Sequence, residues 1–164
     1  MAARKFDSEI TVDPHDRWIF RGNEITQSDI LKYFRNNLKQ NDKGIFIENV
    51  FGELSEYGYI QTLGFPCHVL SVREDFGELF FHCDDEKVFK FPDFEIYQTK
   101  DGSIMGLLAE DPFIKYRFDW NAAGQLGDLL EEESGKTFLI LGEFQMELPI
   151  YEGKIEVSLP ISYE

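Results

Sequence analysis

Two dipeptides hold most of the soft, ligating side chains of this sequence: Cys67-His68 and, after thirteen intervening residues, His82-Cys83. Both cysteines and two of the three histidines stand in them. Cys and His are the ligands of structural zinc, which needs four of them within ~2.0–2.3 Å of one point. They are also the residue types of acid–base and thiol chemistry. The spacing lacks the short C-x₂₋₄-C knuckle of zinc modules. The dipeptides end the segments PCHVLSV and ELFFHC, which read as two strands of a hairpin turning within residues 74–77. Successive strand residues face opposite ways. A three-residue loop then puts both cysteines on one face and both histidines on the other. A four-residue loop groups Cys67 with His82 and His68 with Cys83. Each face receives two of the four either way, so no metal is expected. Cys67 and Cys83 are expected as small core residues, kept as thiols in a reducing compartment. His68 and His82 are the candidate ligand-binding pair, with Asp84, Asp85 and Glu86 placed to orient an imidazole. No catalytic residue is assigned and no cofactor is expected.

A second string invites a nucleotide reading. Ser134-Gly135-Lys136-Thr137 ends like a phosphate-binding loop, in which amides and Lys cradle the phosphates. The first glycine of that motif would fall on Leu130, and Glu131, Glu132 and Glu133 would repel a triphosphate. The order is also reversed, from helix into strand. Gly135 is expected instead as the left-handed residue that closes a helix, with the three glutamates as its solvated end. Asp13-Pro14-His15-Asp16 is turn chemistry before it is a metal site. There is no G-x-S-x-G elbow, no H-E-x-x-H helix and no glycine-rich dinucleotide loop.

The elements that must position these residues are mixed. EITV, RWIFRG, GIFIEN, FGELSEYGYIQ, KVFKF, FEIYQT and SIMGLLA read as strands, with Asp101-Gly102 as a two-residue hairpin turn. Trp18, Phe20, Tyr57 and Tyr59 read as sheet aromatics. A helix is expected from Thr26, which has capping-box spacing to Asp29 and a hydrophobic staple of Ile25 on Ile30. Ile30, Leu31, Phe34 and Leu38 give its apolar stripe, and 41–44 end it. A second helix is expected after Asp119, a good N-cap, with Trp120, Ala123, Leu126, Leu129 and Leu130 as its apolar side and with Gly124 and Gly127 weakening it. Shifting the first half by 93 residues sets Thr26 on Asp119 and 45–47 on 138–140, an echo of one helix-plus-hairpin unit.

The length of 164 residues suits one domain or two fused submodules, taken as 1–62 and 63–164. A hydrophobic share of 43% supplies a core, so disorder is not expected. A net charge of −15 repels phosphate backbones and anionic lipid, so neither nucleic acid nor membrane is expected as a partner. No apolar run reaches ~18 residues, and MAARKFDSEI lacks the apolar core of a secretory signal. The expected compartment is cytoplasmic.

WIFRGNEITQSDILKYF, GIFIEN, Glu53, FPCHVLSV and the late TFLILGEFQMEL together resemble the bacterial family DUF1285 over residues 9–148. The chain departs from it at Gln27, where the family commonly carries Arg, and at the Cys-His and His-Cys ends. The resemblance implies an α+β fold of two related submodules and a role in signalling or ligand sensing, with no assigned activity. The expectation is therefore α+β, mostly antiparallel sheet with two main helices. Function is expected to be non-catalytic binding of a small molecule or protein partner, in a groove between submodules. The alternatives are a small hydrolase or metal-assisted enzyme using His68, His82 and nearby carboxylates, and a protein-interaction subunit.

Overall fold

The computed structural model describes residues 3–163, the side chain of Phe51 excepted. It is α+β, and the chain divides into two compact units: 1–67 with 154–164, and 68–153.

In the first unit the strands are β1 (Arg4–Val12), β2 (Trp18–Phe20), β3 (Asn23–Glu24), β4 (Leu38–Asn41), β5 (Gly44–Phe51) and β6 (Leu54–Thr62), and the helix is α1 (Ser28–Asn36). They form one sheet in the order β3-β2-β1-β6-β5-β4. It is mixed: β1 runs parallel to β6, and the hairpins around them are antiparallel. Strand alternation sorts the side chains. Ile10, Val12, Ile45, Ile47 and Ile60 are buried, on the face that also receives Trp18 and Phe34, stacked at 6.0 Å. Phe46, Tyr57 and Tyr59 cluster on the opposite face, which residues 157–163 cover through the Thr62–Val157 bridge and a Tyr59–Tyr163 ring contact.

In the second unit β7 (Cys67–Asp75), β8 (Glu78–Cys83), β9 (Val88–Lys90), β10 (Phe94–Gln98), β11 (Ile104–Leu108) and β12 (Lys115–Phe118) form a sheet in the order β10-β11-β12-β7-β8-β9. Phe81, Phe94, Phe118, Phe89 and Tyr116 interlock as its aromatic core. Next come α2 (Trp120–Gly127) and a three-stranded sheet of β13 (Leu130–Glu133), β14 (Lys136–Leu141) and β15 (Phe144–Glu147).

The structure contains the helix-plus-hairpin unit twice, and corrects its spacing. Leu38 pairs with Ile47 and Asn41 with Gly44; Leu130 pairs with Leu139 and Glu133 with Lys136. The shift is 92 residues (130 less 38), not 93. The same inter-element bond recurs, from Glu48 N to the Asn37 carbonyl at 2.9 Å and from Ile140 N to the Leu129 carbonyl at 2.8 Å. A slip of one residue preserves an apolar run but exchanges the faces of a strand. Buried Ile47 belongs with buried Leu139, whereas the shift of 93 sets it on half-buried Ile140.

Both helices end earlier than their apolar spacing predicts, and at matching places. Leu38 and Leu130 open strands β4 and β13 instead of closing helices. Glu131–Glu133 are therefore strand residues, and Ser134-Gly135, both at positive φ, form the two-residue turn into β14. No helix follows Lys136-Thr137, so the phosphate-loop order is absent there. At 101–102 the hairpin loop is longer than two residues: Thr99 and Ser103 close it by a 2.8 Å backbone bond, with Gly102 at φ 91.

Candidate functional site

A hollow in the first unit lies beneath α1 and has a volume of about 570 Å³. Its floor is a row across three paired strands, Phe6 on β1, Gly58 on β6 and Ile47 on β5. Gly58 leaves the centre of that row low. A Cβ there would stand 3.1 Å from the Cβ of Ser8 and 3.5 Å from the Phe6 ring. Ser8, which also lines the hollow beside Gly58, is fixed in place by its own bonds. It belongs to a bulge at 7–10, donates its hydroxyl to the Tyr59 carbonyl at 2.6 Å and accepts from Ile10 N at 3.2 Å.

The roof is α1, an amphipathic helix in which no residue is buried. Its apolar stripe, Ile30 and Phe34, lines the hollow together with Ile25, Phe20 and Ile10. The helix is held at its C-terminal end. Phe34 stacks on buried Trp18, whose Nε1 donates to the Pro66 carbonyl at 3.2 Å, and Arg35 Nε donates to the same carbonyl at 3.1 Å. The Tyr33 hydroxyl donates to Asn49 Oδ1 at 3.3 Å. At the other end, the N-cap is Gln27 and no side chain caps the helix. The expected cap Thr26 and the staple residues Ile25 and Ile30 face the hollow instead. Asn23, Glu24, Thr26, Gln27 and Asn49 supply its polar groups.

The sequence-predicted pair lies in the second unit. The β7–β8 hairpin turns through Phe76-Gly77, both at positive φ, and carries a one-residue bulge between Val69 and Ser71. A two-residue turn plus one bulged residue gives the alternation of the three-residue loop. Cys67 and Cys83 are buried, and His68 and His82 are half-buried on the opposite face. His68 Nδ1 lies 3.0 Å from Asp84 Oδ2, and Asp84 Oδ1 also accepts from His68 N at 2.8 Å. Asp84 thus clamps the open end of the hairpin while orienting an imidazole. His82 sits opposite Ser71. Neither histidine lines the hollow under α1. Burial, with the charges of Asp85 and Asp84, pushes the Cys83 thiol far up, which disfavours the thiolate form. Asp85 is buried and accepts from the Tyr116 hydroxyl; burial raises its pKa against that bond. Among the described residues no three His, Cys, Asp or Glu side chains are grouped to hold a metal ion. At Asp13-Pro14-His15-Asp16, the Asp13 carboxylate accepts from His15 N and Arg17 N within the turn, and the Asp16 carboxylate accepts from Phe65 N and ties the turn to that residue.

The lining residues Phe6, Ser8, Ile47, Asn49 and Gly58 were missed by sequence reasoning. Gly58, alone inside the aromatic strand YGYI, was the available signal, because a glycine in a strand interior marks a missing side chain or a close approach.

No helix of the described residues is long and apolar enough to cross a membrane. No family model and no curated protein matches the sequence. Two solved structures are similar. A DUF1285 family protein from Silicibacter pomeroyi DSS-3 has a TM-score of 0.67 at 15% identity, covering 90% of this chain and 84% of that one. One from Shewanella baltica OS155 has a TM-score of 0.49 at 13% identity, covering 68% and 84%. The chain thus has the fold of the Silicibacter DUF1285 protein across nearly all of its length, in keeping with the resemblance in its sequence.

Proposed function

We propose that this protein is a non-catalytic binding domain that holds a small, largely apolar molecule beneath α1. The observation that carries this is the hollow itself. Its volume of about 570 Å³ lies within the ~300–1,000 Å³ of small-molecule sites, and it has their composition, apolar walls with a few polar groups at the edge. An amphipathic helix that buries none of its residues leaves apolar surface for a ligand to cover. Covering it would release ~25 cal/mol for each Å² removed from water. A thermal-shift screen of neutral apolar molecules tests this. A ligand should raise the melting temperature of the native chain and leave that of Ile30→Trp, which fills the hollow from the helix side, unchanged. A screen in which no apolar molecule shifts the native chain contradicts the proposal.

A second reading has one geometry in its favour. The His68–Asp84 pair is the arrangement that orients an imidazole for proton transfer. An enzyme built on His68 and His82 would lose its turnover in His68→Ala and in His82→Ala alike. Asp84 also closes the backbone of its own hairpin, a structural duty that already accounts for the contact.

A further inference from the structure

We infer that the hollow under α1 selects an apolar amine: a hydrocarbon or aromatic body carrying one ammonium group. This rests on the binding proposal above and adds to it the charge of the ligand. None of the residues lining the hollow is Lys, Arg or His, and Glu24 is the only charged one. Glu24 is exposed at the rim, on β3, and has no ion-pair partner among the described residues. Two guanidiniums do come near the site, over the rings of Phe6 and Phe20, at 5.3 Å (Arg4) and 5.0 Å (Arg21). Both are already paired, Arg4 with Glu56 at 3.6 Å and Arg21 with Glu9 at 2.6 Å. The unbalanced charge at the rim is therefore negative. A carboxylate or phosphate entering here would meet Glu24 and find no cation among the lining residues. An ammonium would meet Glu24 and the faces of Phe6, Phe20 and Phe34 not already taken up. Each such ring contact favours a cation by about 2- to 5-fold at an exposed site, and an exposed ion pair by a similar factor or less. The apolar walls take the body of the molecule, and the polar rim takes its charged end.

Three probes of one shape isolate the charge: 4-phenylbutylamine, 4-phenylbutan-1-ol and 4-phenylbutanoate, titrated at pH 7 in 0.15 M salt by calorimetry or amide chemical shifts. The amine should bind about 10-fold more tightly than the alcohol, and the carboxylate more weakly than both. Glu24→Gln should shrink the amine-to-alcohol ratio about 3- to 5-fold. Ile30→Trp should abolish binding of all three. Because that variant keeps the net charge of the chain, amine binding that survives in it would place the amine on the acidic surface at large and overturn the inference. Equal binding of the three, tightest binding of the carboxylate, or a ratio unmoved in Glu24→Gln overturns the charge selection. The binding proposal still stands in those cases if the alcohol binds and is lost in Ile30→Trp. No binding of any probe overturns both.

Discussion

The two helix-plus-hairpin units share strand register to the residue and differ in what lies under the helix. In the second, Asp119 caps α2 through Ala122 N at 2.8 Å, and Ala122 and Leu126 are fully buried. In the first, α1 has no side-chain cap and no buried residue. α2 is also tied to β7, where Gln125 Oε1 accepts from Val72 N at 2.6 Å and Asn121 Nδ2 donates to the Leu70 carbonyl at 2.9 Å, and the strands differ as well. β6 has nine residues and continues the sheet into β1, which widens the floor to include Phe6, Ser8 and Gly58. Its counterpart β15 has four residues and is an edge strand. A broad floor with a glycine at its centre is too large for the side chains of a nine-residue helix to fill. One local plan thus accompanies a closed core in one place and a hollow in the other, according to the strands its helix is laid against.

The contrast is broken most directly by truncating one apolar residue on each helix. Leu126→Ala should cost about 2–5 kcal/mol, the usual range for a fully buried leucine. Ile30→Ala, at a position 38% exposed, should cost about 1 kcal/mol or less in the absence of ligand. Urea unfolding of the two variants gives the comparison, and equal losses would mean that α1 is packed as tightly as α2. The caps give a smaller difference. Asp119→Ala should cost about 1 kcal/mol, whereas Gln27→Ala, which removes no cap bond, should stay within about 0.5 kcal/mol.

How far these differences could be read beforehand varies with the residue. Asp119 was legible because an acidic cap followed by a helical stripe has a single local meaning. Leu38 and Leu130 were not, because an apolar residue at helical spacing also suits the first inward position of a strand. Only pairing with Ile47 and Leu139 decides between them. Thr26 with Asp29, and Ile25 with Ile30, carried the spacing of a cap and a staple, yet the helix begins one residue later than that spacing requires. Those side chains turn to the hollow. The faces of Cys67, His68, His82 and Cys83 were legible up to a choice between two loops, which a bulge at 69–71 then settled. The hollow was not legible as a whole, because its floor joins β1 to β6 across some fifty residues of sequence.

The smallest expected effect concerns pH and belongs to the second unit. Burial raises the pKa of Asp85 above the ordinary carboxylate value, despite the bonds from Tyr116 and from Lys87 N. A carboxyl group with a raised folded value holds its proton more tightly in the folded state. Its contribution to stability is present below the unfolded value of ~3.9 and is lost as pH rises through the folded one. Unfolding measured from pH 4 upward should therefore show a decline that is shallower in Asp85→Asn, which keeps an oxygen for the Tyr116 hydroxyl. Identical pH profiles for the two proteins would contradict the assignment.

In the proposed reading the hollow under α1 is a ligand site, whereas the side chains of α2 are packed into its own unit. Amide chemical shifts during titration with 4-phenylbutan-1-ol test it most directly. Saturable shifts are expected at Ser8, Ile30, Ile47 and Gly58, with none at the counterparts Ala122 and Leu139, and they should disappear in Ile30→Trp. Shifts centred on α2 or on His68 and His82, or no saturation at any position, would contradict it.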